Sequence, residues 1–123
     1  MRVTDSFLDV IEVLLSALRE GDDELHGWAV MKAARRTGPT VYGVLDRLQD
    51  ADWITSRWEQ LPPEANRPRR RFYRLTPTGI TASRALLAER RPEALRRVEA
   101  PRRPAHVRPV LGLDMTRVAG DAR

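Results

Sequence analysis

The feature that most narrows the fold is a short apolar stripe set behind a tight turn. Val41, Val44, Leu45 and Leu48 stand at i, i+3, i+4 and i+7, the spacing that lines one side of an α-helix. Thr40, Tyr42, Gly43, Asp46 and Arg47 fall between them, so the opposite side is polar. Thr37-Gly38-Pro39 comes just before. Thr37 can cap a helix, and Pro39 suits the first turn, where its missing N–H is not needed. The pattern predicts a helix over 39–51. Ahead of it, residues 24–36 read as another helix, apolar at Leu25, Trp28, Ala29 and Met31. Lys32, Arg35 and Arg36 would end it where cations meet the negative end of the helix dipole. Two short helices joined by a glycine-containing turn, the second polar outside, form a helix-turn-helix.

The flanks extend this unit. Phe7, Ile11, Leu14 and Leu18, widened by Leu8 and Leu15, predict an amphipathic helix over 6–20. Ser6 with Asp9 resembles a capping box, and Gly21 is suited to stop the helix. Asp22-Asp23-Glu24 reads as cap and negative charge for the next helix N-terminus. After the third helix the period changes. Residues 53–59 are rich in aromatic and β-branched side chains, 60–68 carry Pro62, Pro63, Asn66 and Pro68, and Arg71-Phe72-Tyr73-Arg74-Leu75 reads as the returning strand. Strand, proline-rich loop and strand make a hairpin, the wing. Trp28, Trp53 and Trp58 read as packing residues of the core and wing, and His26 as a cap or packing residue. Thr76-Pro77 opens a further helix through Ile80, Leu86 and Leu87 that Pro92 should end or kink. Residues 93–99 add a turn or two with Leu95 and Val98 on one side. Past Ala100 the chain is poor in core residues.

Composition limits the chemistry. The 123 residues contain no cysteine, which removes disulfides, thiolate metal sites and thiol nucleophiles. His26 and His106 are the only histidines, and their spacing does not pair them as ligands. No glycine-rich phosphate loop follows a strand, and no nucleophile elbow is present. The reading is therefore not an enzyme and needs no cofactor or metal. No apolar run reaches the roughly 20 residues of a membrane span, and the N-terminus opens no signal peptide, so a soluble cytoplasmic protein is expected. The net charge of +5 is unevenly spread. Residues 1–25 are acidic, while 57–74 hold Arg57, Arg67, Arg69, Arg70, Arg71 and Arg74 against Glu59 and Glu64. Twenty-one of the 22 basic residues are arginine, whose planar fork suits phosphate. A polarised basic surface is the footprint of a nucleic-acid partner.

In that frame the third helix would offer its N-terminal residues to base edges in a major groove and its N–H groups to phosphate. The residues expected at double-stranded DNA are Thr37, Thr40, Tyr42 and Arg47 on or beside this helix, and Arg67, Arg69, Arg70 and Arg71 on the wing. Two other readings fit parts of the pattern: a winged-helix module for protein contact, and a sensor with a ligand near Trp28, Trp53 or Trp58.

Leu25-His26-Gly27-Trp28, Pro39 through Leu48, and Arg69-Arg70-Arg71-Phe72-Tyr73-Arg74-Leu75-Thr76-Pro77-Thr78-Gly79 resemble, in that order, the second helix, recognition helix and wing exit of PadR-type regulators. The resemblance runs over about residues 5–90. It implies a mainly α fold with a small β-hairpin, a winged helix-turn-helix plus a C-terminal dimerisation helix. Residues 1–76 would be the DNA-binding domain, 77–99 the dimerisation region and 100–123 a Pro/Arg-rich tail. It also implies a homodimeric repressor of a palindromic operator, in some members released by an aromatic small-molecule effector. The chain departs from the family pattern at Pro39 and Gly43, at Pro92, and in a final helix without aromatic residues.

Overall fold

The computed structural model describes residues 2–100; residues 101–123, and with them nearly all of the expected tail, lie outside the described residues. The order of elements is α1 (Asp5–Arg19), β1 (Leu25–His26), α2 (Gly27–Ala34), α3 (Gly38–Asp50), β2 (Ile54–Trp58), β3 (Arg71–Leu75), α4 (Pro77–Arg90) and α5 (Pro92–Glu99).

Helix α1 places Phe7, Leu8, Val10, Ile11, Leu14 and Leu15 in the core. They meet Val41, Val44, Leu45 and Leu48 of α3, the stripe expected from the sequence, together with Val30, Ile54, Tyr73, Leu87 and Val98. Each fully buried large apolar side chain contributes roughly 1.5–3 kcal/mol. The N-cap of α1 is Thr4, whose hydroxyl accepts from the Phe7 N–H at 3.1 Å. The Ser6–Asp9 box therefore does not form: Ser6 already lies inside the first turn. Gly21 ends the helix at a φ of +91°, a conformation that glycine adopts without steric cost.

The second helix is shorter than its pattern. Leu25 and His26 pair with Tyr73 and Phe72 as a third strand, so the small antiparallel sheet runs β1-β3-β2. His26 caps α2 through Nδ1, which accepts from the Ala29 N–H at 3.2 Å. The acidic run before it consequently caps nothing. Asp23 instead bonds Arg74 at 2.6 Å, and Glu24 receives the fork of Arg57 at 2.8 and 2.7 Å. These pairs fasten the segment before β1 to the two wing strands. Arg35 and Arg36 fall beyond the last turn of α2, with Arg35 in the left-handed region at a φ of 59°.

Strands β2 and β3 pair from Ile54↔Leu75 out to Trp58↔Arg71. Side chains alternate along a strand, so Trp58 shares a side with Ile54. Ile54 is buried, but Trp58 sits at the outer end of the pair and is 52% exposed. Trp28, also expected to pack, is 56% exposed. Only Trp53 packs as expected, edge-on to Phe7 at 5.7 Å.

Thr76 caps α4 as its sequence suggests, accepting from the Gly79 N–H at 2.9 Å while its hydroxyl donates to the Asp52 carbonyl at 2.8 Å. Pro92 does not merely kink the helix: α4 ends at Arg90 and α5 begins at Pro92. The elbow residue, Arg91, donates to Asp9 at 2.8 Å and Glu12 at 3.2 Å. Helix α5 then lays Ala94 and Val98 on the core.

Gly79 lets α4 lie directly on Trp53, the residue just before β2. A side-chain carbon there would overlap the Trp53 carbonyl, which is backbone and cannot swing aside. Gly79→Ala should destabilise the fold by about 1–3 kcal/mol, the range for overpacking. Gly43 meets nothing within 4 Å, so Gly43→Ala should be neutral or gain up to about 1 kcal/mol from helix propensity. Urea melts of the two variants against wild type check both statements.

Candidate nucleic-acid interface

Helix α3 presents two separate polar rows. Thr40, Gly43 and Arg47 line a shallow surface shared with Arg2, Thr4 and Ser6 at the start of α1. Tyr42 and Asp46 face the other way, into a cleft of 720 Å³ between α3, the start of α2 and the wing. Seven of the eight residues expected at DNA are therefore divided between two surfaces on either side of α3, and the eighth, Thr37, bonds Thr40 beside the first.

On the first surface, Thr37 is the backbone N-cap of α3 but makes no side-chain cap. Its hydroxyl donates to Thr40 Oγ1 at 3.1 Å instead, and both residues lie at the open N-terminal end of the helix. The first N–H groups of any α-helix lack intrahelical partners, so this end offers donors. Arg47 is more constrained than its sequence suggests. It donates to the Arg2 carbonyl at 3.0 Å and its guanidinium lies 5.6 Å from the Phe7 ring centre. It thus braces α3 against the start of α1.

In the cleft, Tyr42 is 44% exposed, and its ring lies over Gly27, the first residue of α2. A side-chain carbon at Gly27 would overlap the Tyr42 ring and hydroxyl. The absence of one therefore sets where Tyr42 stands. Tyr73, on the cleft floor, is pushed above the ordinary tyrosine range mainly by burial, with nearby Arg71 opposing. Tyr73 stays neutral through the physiological range.

The wing arginines differ among themselves. Arg67 grips Glu59 with both ends of its fork at 2.8 Å, and Glu59 also accepts from the Arg70 N–H at 3.2 Å. The Arg67 guanidinium and that N–H hold the Glu59 carboxyl down at about 2. Arg67 is thus a fastener of the loop. Arg71 donates to Ser56 Oγ at 3.0 and 2.8 Å. The guanidinium groups of Arg71 and Arg69 lie 5.4 and 5.7 Å from the Trp58 ring centre. Among the described residues no carboxylate pairs with Arg69, Arg70 or Arg71. The sequence reading missed the two exposed tryptophans and Asp46 as lining of this surface. The proline-rich loop beginning soon after Trp58 was the available signal that this residue ends its strand.

Elsewhere the acidic N-terminal third is largely taken up by ion pairs. Asp9 accepts from Arg36 at 2.7 Å as well as from Arg91, and Glu12 from Arg97 at 3.2 Å. Partial burial raises the Asp9 pKa, but these two arginines more than offset it and hold the carboxyl below its ordinary range. Among the described residues no group of three acidic, His or Cys side chains could hold a metal, and no helix is long and apolar enough to cross a membrane.

The profile of the transcriptional regulator PadR-like family matches residues 14–85, from within α1 to within α4. The chain belongs to that family. Among curated proteins none matches in sequence. Solved structures share the winged-helix fold. Staphylococcus aureus MepR in its DNA-binding conformation is 23% identical with a TM-score of 0.57, over 76% of this chain and 64% of that one. A PadR family transcription regulator from Clostridium difficile is 22% identical with a TM-score of 0.51, over 71% of this chain and 94% of that one. Bordetella bronchiseptica BpsR, whose DNA binding is regulated by 6-hydroxynicotinic acid, is 22% identical with a TM-score of 0.51, over 84% of this chain and 70% of that one. The chain thus spans just under two thirds of the MepR chain. At these identities the likeness is one of fold, and the PadR-like assignment rests on the profile match.

The Glu59–Arg67 fork carries a pH signature in this PadR-like wing. A carboxylate whose folded pKa is about 2, against an ordinary 4.5, stabilises the loop fully above pH 4.5. That contribution fades as pH falls towards 2. Carboxyl NMR titration should place the Glu59 midpoint near 2 in the wild type and return it towards the ordinary range in Arg67→Ala. An unchanged midpoint would mean that the fork does not form in solution.

Proposed function

We propose that this PadR-like regulator binds double-stranded DNA as a homodimer and represses transcription from a palindromic operator. The observation that carries the reading is the placing of Arg69, Arg70 and Arg71, without carboxylate partners among the described residues, beside the exposed face of α3. Guanidinium groups without carboxylate partners, lining one cleft with Tyr42 of α3, form an anion-binding surface. With α3 in the major groove, Thr37, Thr40, Tyr42 and Arg47 would be the residues nearest bases and phosphates. The wing arginines would lie along the adjoining backbone or minor groove.

Residues 1–76 form the DNA-binding unit in this reading, and 77–99 the dimerisation region. The break at Pro92 divides that region into α4 and α5, so its surface is two short helices rather than one long one. A two-fold dimer would set two α3 helices about one helical turn apart, which is what makes the operator palindromic. An aromatic small molecule is the effector class proposed. The support is the family resemblance and the control of BpsR by 6-hydroxynicotinic acid.

Substitution separates the roles. Replacing Arg69, Arg70 and Arg71 together by Ala should weaken binding to all duplexes alike. It should also reduce the slope of log K against log salt by about 0.9 for each phosphate left without its arginine. Arg67→Ala should do much less, because Glu59 already takes its charge. Thr40→Ala should instead change which sequences are preferred. Fluorescence anisotropy over a salt series reads these outcomes. Unchanged affinity and slope in the triple variant would remove the wing from the interface.

A further inference from the structure

The cleft between α3 and the wing has a feature that phosphate binding by arginine alone does not explain. Its outer wall is an indole. Trp58 is 52% exposed at the end of β2, facing the same space as Tyr42 and Asp46. Leaving half a tryptophan in water forgoes burial of a large apolar surface, and exposed aromatic rings are more informative than scattered exposed aliphatics. The guanidinium groups of Arg69 and Arg71 lie 5.7 and 5.4 Å from its ring centre, so two cations are held at the cleft by contact with its π-system. The ring therefore serves as a platform for the two charges while keeping free surface of its own.

We propose that this cleft is the track for one sugar–phosphate strand of the duplex, and that Trp58 packs on the strand while holding Arg69 and Arg71 towards its phosphates. The proposal rests on the DNA-binding reading above. A strand that passes from the major groove under α3 to the minor groove at the wing must cross the space between them. That space is lined by Tyr42 of α3, by the wing arginines and by the Trp58 ring, with the Arg69 and Arg71 guanidinium groups near that ring. A sugar–phosphate strand has the complementary alternation of anionic phosphates and apolar deoxyribose faces. Asp46 lines the same cleft and repels phosphate. The strand is therefore held to the wing side, and Asp46 is left for an exocyclic amine on a base edge, such as cytosine N4.

Contacts to sugar and phosphate position without reading sequence. Trp58→Ala should thus lower affinity for every duplex by a similar factor, roughly tenfold if the contact is comparable to aromatic stacking on nucleic acid. Trp58→Phe should keep most of the affinity, because it keeps a ring for both cations. As Trp58 is half exposed, neither change should shift the melting temperature much. Location is read separately in a Trp28→Phe background, where Trp53 and Trp58 remain. Duplex should shield the acrylamide-accessible emission of that protein, and the shielding should vanish when Trp58→Phe is added. Full affinity in Trp58→Ala, or emission that stays accessible in the complex, would overturn this proposal alone. A wild-type protein that binds no duplex would overturn it together with the regulator reading.

Discussion

Everything in this fold leans on the apolar stripe of α1. Phe7, Val10, Ile11 and Leu14 are buried at the centre of the core, and α2, α3, α4 and α5 all pack against that helix. Helix α3 has its own stripe, but by itself it would be a short amphipathic segment of marginal stability in water. Its position relative to the wing follows from burial against α1, from Ile54 beneath the start of β2, and from the Ser56–Gln49 hydrogen bond of 3.2 Å between β2 and α3. The position of α3 relative to the wing is thus set by elements that share one core.

Electrostatics then sorts the surface. Acids in the first quarter of the chain take arginines from five later places: Asp9 takes Arg36 and Arg91, Glu12 takes Arg97, Asp23 takes Arg74 and Glu24 takes Arg57. Each such surface pair contributes little to stability, about 0–1 kcal/mol. Together they decide which arginines keep their charge available. On the wing, Arg67 commits its fork to Glu59, while Arg69, Arg70 and Arg71 face the cleft. The overall charge of +5 says little about function until this pairing is known. Asp9 also ties the turn before α3 to the α4–α5 elbow, since it holds Arg36 and Arg91 on its two oxygens.

Much of this was legible in the residues. The i, i+3, i+4, i+7 stripe located α3, the change of period located the wing, and Thr76-Pro77 marked the start of α4, because each signal is local. What was missed depends on partners distant in sequence. Leu25 and His26 look helical in isolation and become a strand because Phe72 and Tyr73 pair with them. Asp23 and Glu24 look like caps and become ion-pair partners of the wing. Trp58 alternates in step with a buried residue, yet lies past the end of the core. Its exposure depends on how far the hairpin projects, which no count along one strand reveals. Likewise Arg67 and Arg69 look equivalent in sequence, and only the fold brings Glu59 to one of them.

The central claim is that α3 and the wing form one surface for duplex DNA. Its most direct test is selection from a random duplex library by the purified protein at two salt concentrations, with sequencing of what is retained. The account predicts an enriched two-fold symmetric sequence, with half-sites about 10 base pairs apart, whose affinity falls steeply as salt rises. Retention without any sequence enrichment, vanishing at physiological salt, would contradict it and reduce the wing arginines to a general attraction for anions.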